Sequence, residues 1–454
     1  MEYGIQCSDL LPSKLVDVTK PVRNAVLAKM DEWLSQKEGP KRKEEAIRSV
    51  DLPRSAHPLS LIEMIEQRDD LKSFTIKQPV DHFTSSATKK FEQRYWSNLK
   101  FYKSEGLRFL MIDGHSPAST MWLTNPKVQI MQLAEKFGAA VYLVEHRGYG
   151  KSRLDRTDLE YVTIKQMIAD VEQLIKAVNE KEKTSYKWIT FGGGYGGSIA
   201  AWSRMFRPEL VTGAVASSAL ISPVLDFYKY LLNLQNIIEK RDSDCKDVIE
   251  EIFLELSTQL LDSQSRADLS NALNMKPLWS VDSKPTPTDI QFFYFNLLSR
   301  FIATIRFDGV NMEHYDNDST LEKACSILKM NKSIALKLRQ FNDYALELLG
   351  KKSAKFPNSY KAFLHMLKST GRSSPNLQTS LYQQCTEFGL FRTTDIGRNI
   401  FKSVLPLNFF EELCTDVFGS NLSWKHITQF VSTAAELFKE NDERNVRFLE
   451  FYIF

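Results

Sequence analysis

The chain has 454 residues, 43% of them hydrophobic and 25% charged, the balance of an ordinary globular protein rather than a disordered or fibrous one. Its 59 Lys and Arg face 56 Asp and Glu, and a net charge of +3 is too small to argue for nucleic acid or an acidic membrane surface as partner. No run of roughly 18 apolar residues occurs, so no transmembrane helix is expected, and the length leaves room for about two or three domains.

Residues 1–70 read as a polar extension. Ala25–Trp33 and Leu59–Glu66 have the spacing of short helices, and the charged run Lys37–Glu45 reads as a solvated linker, with a targeting patch as the minor alternative. Met1–Cys7 and the residues after it lack the basic-then-apolar pattern of a signal peptide, so this stretch offers no route into the secretory pathway. An α/β rhythm then begins. Arg108–Ile112 and Ala139–Val144 are short apolar strands, and Val128–Phe137 between them has helical spacing. Ile164–Val178 carries apolar residues at 164, 167, 168, 171, 174, 175 and 178, one face of a helix. Trp188–Phe191 and Val211–Ala216 are further strands. Alternation of this kind implies a parallel sheet covered on both faces. From about residue 223 to 380 the pattern is almost wholly helical, broken at Ser283–Thr288, and strand character returns at Val446–Phe454.

The most informative stretch is Trp188–Trp202, a strand, a run of glycines and a helix. That is the layout of the G-x-S-x-G nucleophile elbow of α/β-hydrolases, but Gly194 occupies the position of the serine. Glycine supplies no nucleophile, so acyl transfer at this turn is not expected. Gly192, Gly193, Gly196 and Gly197 are expected to relieve crowding around a strained, positive-φ apex. Gly192-x-Gly194-x-x-Gly197 also fits the dinucleotide fingerprint, which requires an acid roughly 20 residues on. The segment there, Ala214–Ser218, has none. A plain tight turn is the remaining alternative.

The surrounding motifs carry a resemblance. Glu145-His-Arg-Gly-Tyr-Gly-Lys-Ser152 is similar to the E-H-R-x-Y-G-x-S motif of the serine exopeptidase family that holds lysosomal prolyl carboxypeptidase, dipeptidyl peptidase II and the thymus-specific serine protease. Val80–Phe83 with Gln93–Trp96, the elbow with Ala201–Arg204 and Arg207-Pro208, Gly213–Ser218 and Tyr382–Gly389 agree in order and spacing. The likeness runs from about Phe74 to Phe454. It implies an α/β-hydrolase core with an inserted helical lid: residues 1–70 as extension, 71–222 as the first part of the core, 223–380 as lid, 381–454 as return to the core. It implies hydrolysis near a proline at one end of a peptide, with no cofactor and no metal. Partners would be peptides with proline near a terminus, and an active paralogue.

Three departures set this chain apart. Gly194 replaces the family's serine. The family's G-G-E-G loop reads Asp113-Gly-His-Ser-Pro117, with His115 in place of Glu. The family's catalytic Asp and His lie beyond a last strand, and this sequence ends on that strand, leaving the sheet incomplete at its C-terminal edge; a peptide-binding pseudoprotease and a non-functional truncated product are the alternatives. The resemblance further implies disulfides Cys385–Cys414 and Cys245–Cys325, with Cys7 left over; five buried free thiols are the other reading. Disulfides need an oxidising compartment, and the sequons at Asn317, Asn331 and Asn421 agree with a secreted or lysosomal address.

At the elbow itself, the N–H of Tyr195 and one from the Gly114–Ser116 loop around His115 are expected to form an oxyanion-hole-like pocket. His146 as a general base, and Ser198 or Ser152 as a substitute nucleophile, are weaker readings than structural roles. His115 is expected to be a surface loop residue, Trp202 to pack its helix, and Arg204 to pair at the surface.

Overall fold

The computed structural model describes residues 70–420, 422 and 448–449, apart from 104–106, 184, 187, 222, 276–278, 307–318, 350–358, 370–374 and 397. The two N-terminal helices expected from the sequence, the charged run, Cys7, Asn317 and Asn421 lie outside the described residues.

Seven strands form the main sheet: β1 (Leu71–Pro79), β2 (Lys90–Asn98), β3 (Arg108–Ile112), β4 (Ala140–Val144), β5 (Trp188–Gly193), β6 (Val211–Ser217) and, from the C-terminal stretch, β9 (Phe448–Leu449). Their order is β1-β2-β4-β3-β5-β6-β9. β1 and β2 pair antiparallel, as do β2 and β4, and every later pair is parallel. Antiparallel entry strands, a parallel centre and a glycine elbow at the end of β5 make this an α/β-hydrolase sheet.

Every residue of β3 and β4 is buried. That is the pattern of strands covered on both faces, and two hydrophobic cores supply the cover. On one face the helix Ile164–Lys181 and the elbow helix Tyr195–Phe206 pack Met167, Val171, Leu174, Ile175, Ile199 and Trp202 against Leu110, Ile112 and Tyr142. On the other, the helix Gln129–Phe137 packs Ile130, Met131 and Ala134 against Phe109, Met111, Val141 and Leu143. The helix ends obey ordinary capping rules. The Thr163 hydroxyl accepts the Gln166 N–H, and Gly138 closes Gln129–Phe137 at φ 64°, where glycine bears no steric penalty.

The region after β6 has a third core of its own, running from Leu231 to Cys414. Its first element is a short strand, β7 (Val224–Asp226), which pairs in parallel with β8 (Gly389–Phe391) as a separate two-stranded sheet. Among the described residues between them, the regular elements are helices. The core is dense in aromatics: Phe301 lies 4.4 Å from Phe341, and Phe292 4.9 Å from Phe363. Both disulfides join this core, Cys245 to Cys325 and Cys385 to Cys414. Within 381–454, assigned by the sequence to the return to the core, β8 pairs with β7 outside the main sheet, while Ile400, Phe401 and Leu405 join this helical core. The helix Leu407–Phe418 buries Phe409, Phe410 and Leu413 there, and the Cys385–Cys414 bond fastens it.

Candidate active site: a vacated nucleophile elbow

β5 runs into the elbow helix through Gly194, which has φ 55° and ψ −123°. A side chain seldom adopts that conformation. The Gly194 N–H donates to the Ser217 carbonyl (2.9 Å), pinning the turn against β6. Three neighbouring glycines are obligatory for spatial reasons. A Cβ on Gly192 would lie 2.2 Å from the Gly196 backbone, one on Gly196 would lie 2.3 Å from the Ile112 carbonyl oxygen, and one on Gly197 2.9 Å from the Gly192 oxygen. Gly193 corrects the sequence reading: a Cβ there meets nothing within 4 Å, because its side-chain direction points out of the turn. A Cβ on Gly194 likewise meets nothing within 4 Å. The strained apex of a nucleophile elbow is therefore intact, and the volume above it is empty.

Beside the apex, the loop after β3 lies against the elbow. A Cβ on Gly114 would be 3.4 Å from the Gly196 nitrogen and 3.9 Å from Tyr195 Cβ. Both oxygens of Asp113 are spent holding this loop, accepting the N–H groups of Gly114 and Ser119 at 2.9 Å each. Burial raises the Asp113 pKa, and these two N–H groups partly offset that. His115 is not the plain surface residue expected. Its ring stacks on Tyr195 at 4.3 Å and 3°, with Phe388 at 5.4 Å and Tyr149 at 6.0 Å. The reason is the loop's register: with Gly114 against Gly196, residue 115 has the Tyr195 ring as its neighbour. The structure thus brings Tyr195 and His115 together beside Gly194.

Below them runs a chain of hydrogen bonds whose direction can be assigned. His146 Nδ1 donates to the Arg147 carbonyl (2.6 Å), so Nε2 is the acceptor for the Tyr195 hydroxyl (3.0 Å). Tyr195 in turn accepts from Gln383 Nε2 (2.8 Å), and Gln383 Oε1 accepts from the Tyr149 hydroxyl (2.7 Å). Burial lowers the His146 pKa to about 4, which keeps the ring neutral as this pattern requires. Its basic nitrogen is occupied and sealed from solvent, which removes the general-base reading. Ser198 is also spoken for: its hydroxyl lies 2.9 Å from the Leu220 carbonyl and 3.3 Å from the Gly194 carbonyl, donating to backbone oxygens within the packing.

The remaining motif residues form a buried ionic scaffold. Arg147 is fully buried with all its donors used, two on Asp170 at 2.6 Å each and the rest on the carbonyls of Val80, Tyr161 and Pro79. Asp170 also takes His82 Nε2 at 2.7 Å. Glu145 receives Arg94 at 2.6 and 3.0 Å, the Ser152 hydroxyl at 2.7 Å and the N–H groups of Lys151 and Ser152. Burial alone would raise the Glu145 pKa, but Arg94 and Ser152 outweigh it and the carboxyl sits below its ordinary range. Ser152 is structural, as expected. Arg204, expected to pair at the surface, turns back on its own chain and donates to the Pro208 and Val211 carbonyls.

Sequence reasoning missed Gln383 and Glu387. Both lie in Tyr382–Gly389, whose middle, Gln384–Phe388, is a π-helical turn. Glu387 accepts the Ile164 N–H (2.8 Å), completing the start of the core helix from 223 residues away. Burial raises its pKa to about 7. The motif itself was the available signal, but nothing local says which residues it touches.

The family profile described as serine carboxypeptidase S28 matches residues 78–450. The chain belongs to the S28 family. Among S28 relatives, the Caenorhabditis elegans protein F56F10.1 is 31% identical over 378 residues, 80% of this chain and 69% of the relative. The thymus-specific serine protease of Mus musculus is 29% identical over 76% of this chain and 69% of its own. The lysosomal Pro-X carboxypeptidase of Homo sapiens is 35% identical over 154 residues, 32% of this chain and 31% of the other. The matched S28 region takes in the elbow, the ionic scaffold and the helical core alike.

Proposed function

We propose that this S28 chain holds peptides rather than cutting them. The observation that carries the reading is Gly194, a positive-φ apex with an empty volume where the nucleophile would stand. In this reading the helical region is a lid over the apex, and the Tyr195 N–H together with an N–H of the loop around His115 receives a carbonyl or carboxylate oxygen. Donors fixed by the fold need little reorganisation to bind such an oxygen. The preferred ligand is a peptide with proline near one terminus, a preference drawn from relatives such as the Pro-X carboxypeptidase. An active paralogue is the proposed protein partner. We assign the chain a secreted or lysosomal address with glycan at Asn331, which is exposed just before the helix Ile334–Leu348; Asn317 and Asn421 are the other candidate acceptors.

Two measurements test this. A fluorophosphonate probe should leave the purified protein unlabelled; labelling at any serine overturns the non-hydrolytic reading. Calorimetric titration with short proline-containing peptides should show saturable binding, and an absence of heat at millimolar peptide overturns the binding reading.

A further inference from the structure

A concave site lies at the start of β2, with no elbow residue in its lining. It is a cleft of about 300 Å³ between β2 and the turn that comes after β4. Its floor includes the buried side chains of Val80 and Phe91. Its walls are charged, with four cations against three carboxylates. These groups are not equivalent. Lys89 is fully committed, 2.6 Å from both Asp155 and Asp158. Lys90, Lys151 and Arg153 form no ion pair among the described residues, and Glu92 is likewise uncommitted.

The cleft is rigid where it matters. Lys90 and Glu92 are two apart on β2 and share its exposed face, with Phe91 turned inward between them. The opposite wall is the turn held by Glu145 through the N–H groups of Lys151 and Ser152. The Ser152 hydroxyl accepts the Arg94 N–H (2.8 Å), fastening that turn to β2. Gly150 at φ 55° allows the tight approach, since a Cβ would lie 1.9 Å from Glu145 Oε1. The two walls therefore keep their spacing without a ligand, which lowers the ordering cost of binding.

We propose that this cleft binds the phosphate ester of a saccharide-sized molecule. Three uncommitted cations suit a dianionic oxyanion, with Arg153 offering a fork and the lysines point charges. The volume exceeds that of a lone phosphate, and Glu92 and Asp155 are acceptors for neighbouring hydroxyls. The polar walls disfavour an apolar side chain. The site is independent of Gly194 and stands whether or not the elbow binds peptide.

The test is calorimetric titration of the full chain with glucose 6-phosphate, inorganic phosphate and glucose. The sugar phosphate should bind more tightly than phosphate, glucose should give no heat, and affinity should fall as salt is raised. Arg153→Gln and Lys151→Gln, both on exposed side chains, should each weaken the sugar phosphate roughly tenfold, the loss of one charge-assisted contact. Glu92→Gln should weaken the ester but not inorganic phosphate. Three results overturn the proposal: no heat with the ester, equal affinity for ester and phosphate, or binding unchanged in the Arg153→Gln, Lys151→Gln double variant. Unaltered thermal unfolding of the variants separates loss of binding from loss of fold.

Discussion

The elbow and the ionic scaffold beneath it have the same ancestry and stand in opposite conditions. At the elbow, position 194 carries no side chain, and a Cβ there would meet nothing within 4 Å. In the scaffold Arg147, Asp170, Glu145 and Arg94 keep their partners within 2.6–3.0 Å. Physical cost accounts for the difference. Removing a serine hydroxyl from an apex that touches nothing leaves no group unsatisfied. Removing one member of a buried ion pair strands the other in a medium that cannot solvate it. A motif of this kind is held in place by the fold's dependence on it, whatever stands at the apex it surrounds.

The sharpest way to break that contrast is Arg147→Met. It leaves Asp170 buried beside only His82 and Gln93, and should cost about 3–5 kcal/mol in denaturant unfolding. A loss below about 1 kcal/mol would mean the scaffold is as dispensable as the serine.

Next comes Glu387, a buried carboxyl outside the ion pairs. Its folded pKa of about 7 lies above the ordinary 4.5, so the folded state keeps the proton longer. Its contribution is neutral below about pH 4.5, grows unfavourable as pH rises from there through 7, and stays so above; Glu387→Gln should recover on the order of 3 kcal/mol at pH 8 and nothing at pH 4. His146 has the opposite sign. Its folded pKa of about 4 lies below 6.5, so stability present above pH 6.5 is lost as pH falls toward 4. Thermal unfolding of parent and Glu387→Gln across pH 4–8 should therefore diverge only above pH 4.5. Parallel curves would count against a carboxyl whose pKa is raised by burial.

The glycines sharpen the comparison further. Gly196→Ala forces a methyl onto the Ile112 carbonyl and should cost about 1–3 kcal/mol. Gly194→Ser has space but must hold a left-handed φ, and should cost about 1–2 kcal/mol. Gly193→Ala, with neither constraint, should stay within about 0.5 kcal/mol. Chemical denaturation of the three would rank crowding above backbone strain and strain above open space; any other order revises the account of the turn.

Much of this was legible in the sequence. The helix over 164–178 is implied by its apolar spacing, and the elbow by its glycines. Periodicity reports which face is buried but not what it is buried against. That is why the Gln383–Tyr195 contact, 188 residues apart, and the Glu387 cap on Ile164 were unreadable, although the motif holding both was in plain view. The stacking of His115 on Tyr195 was hidden for the same reason, since it depends on how closely Gly114 approaches Gly196. The helical core runs past residue 380 because Phe409 and Phe410 find aromatic partners there, a choice between two apolar surfaces that local pattern does not distinguish.

The empty volume above Gly194 also bears on the direction of evolutionary change. Glycine codons lie one base from two of the six serine codons, and a return to a larger side chain is usually locked out when neighbours fill the space. Here a Cβ built on Gly194 meets nothing within 4 Å, and the backbone holds the positive φ of a nucleophile elbow. At this one position the way back has not been closed by sterics.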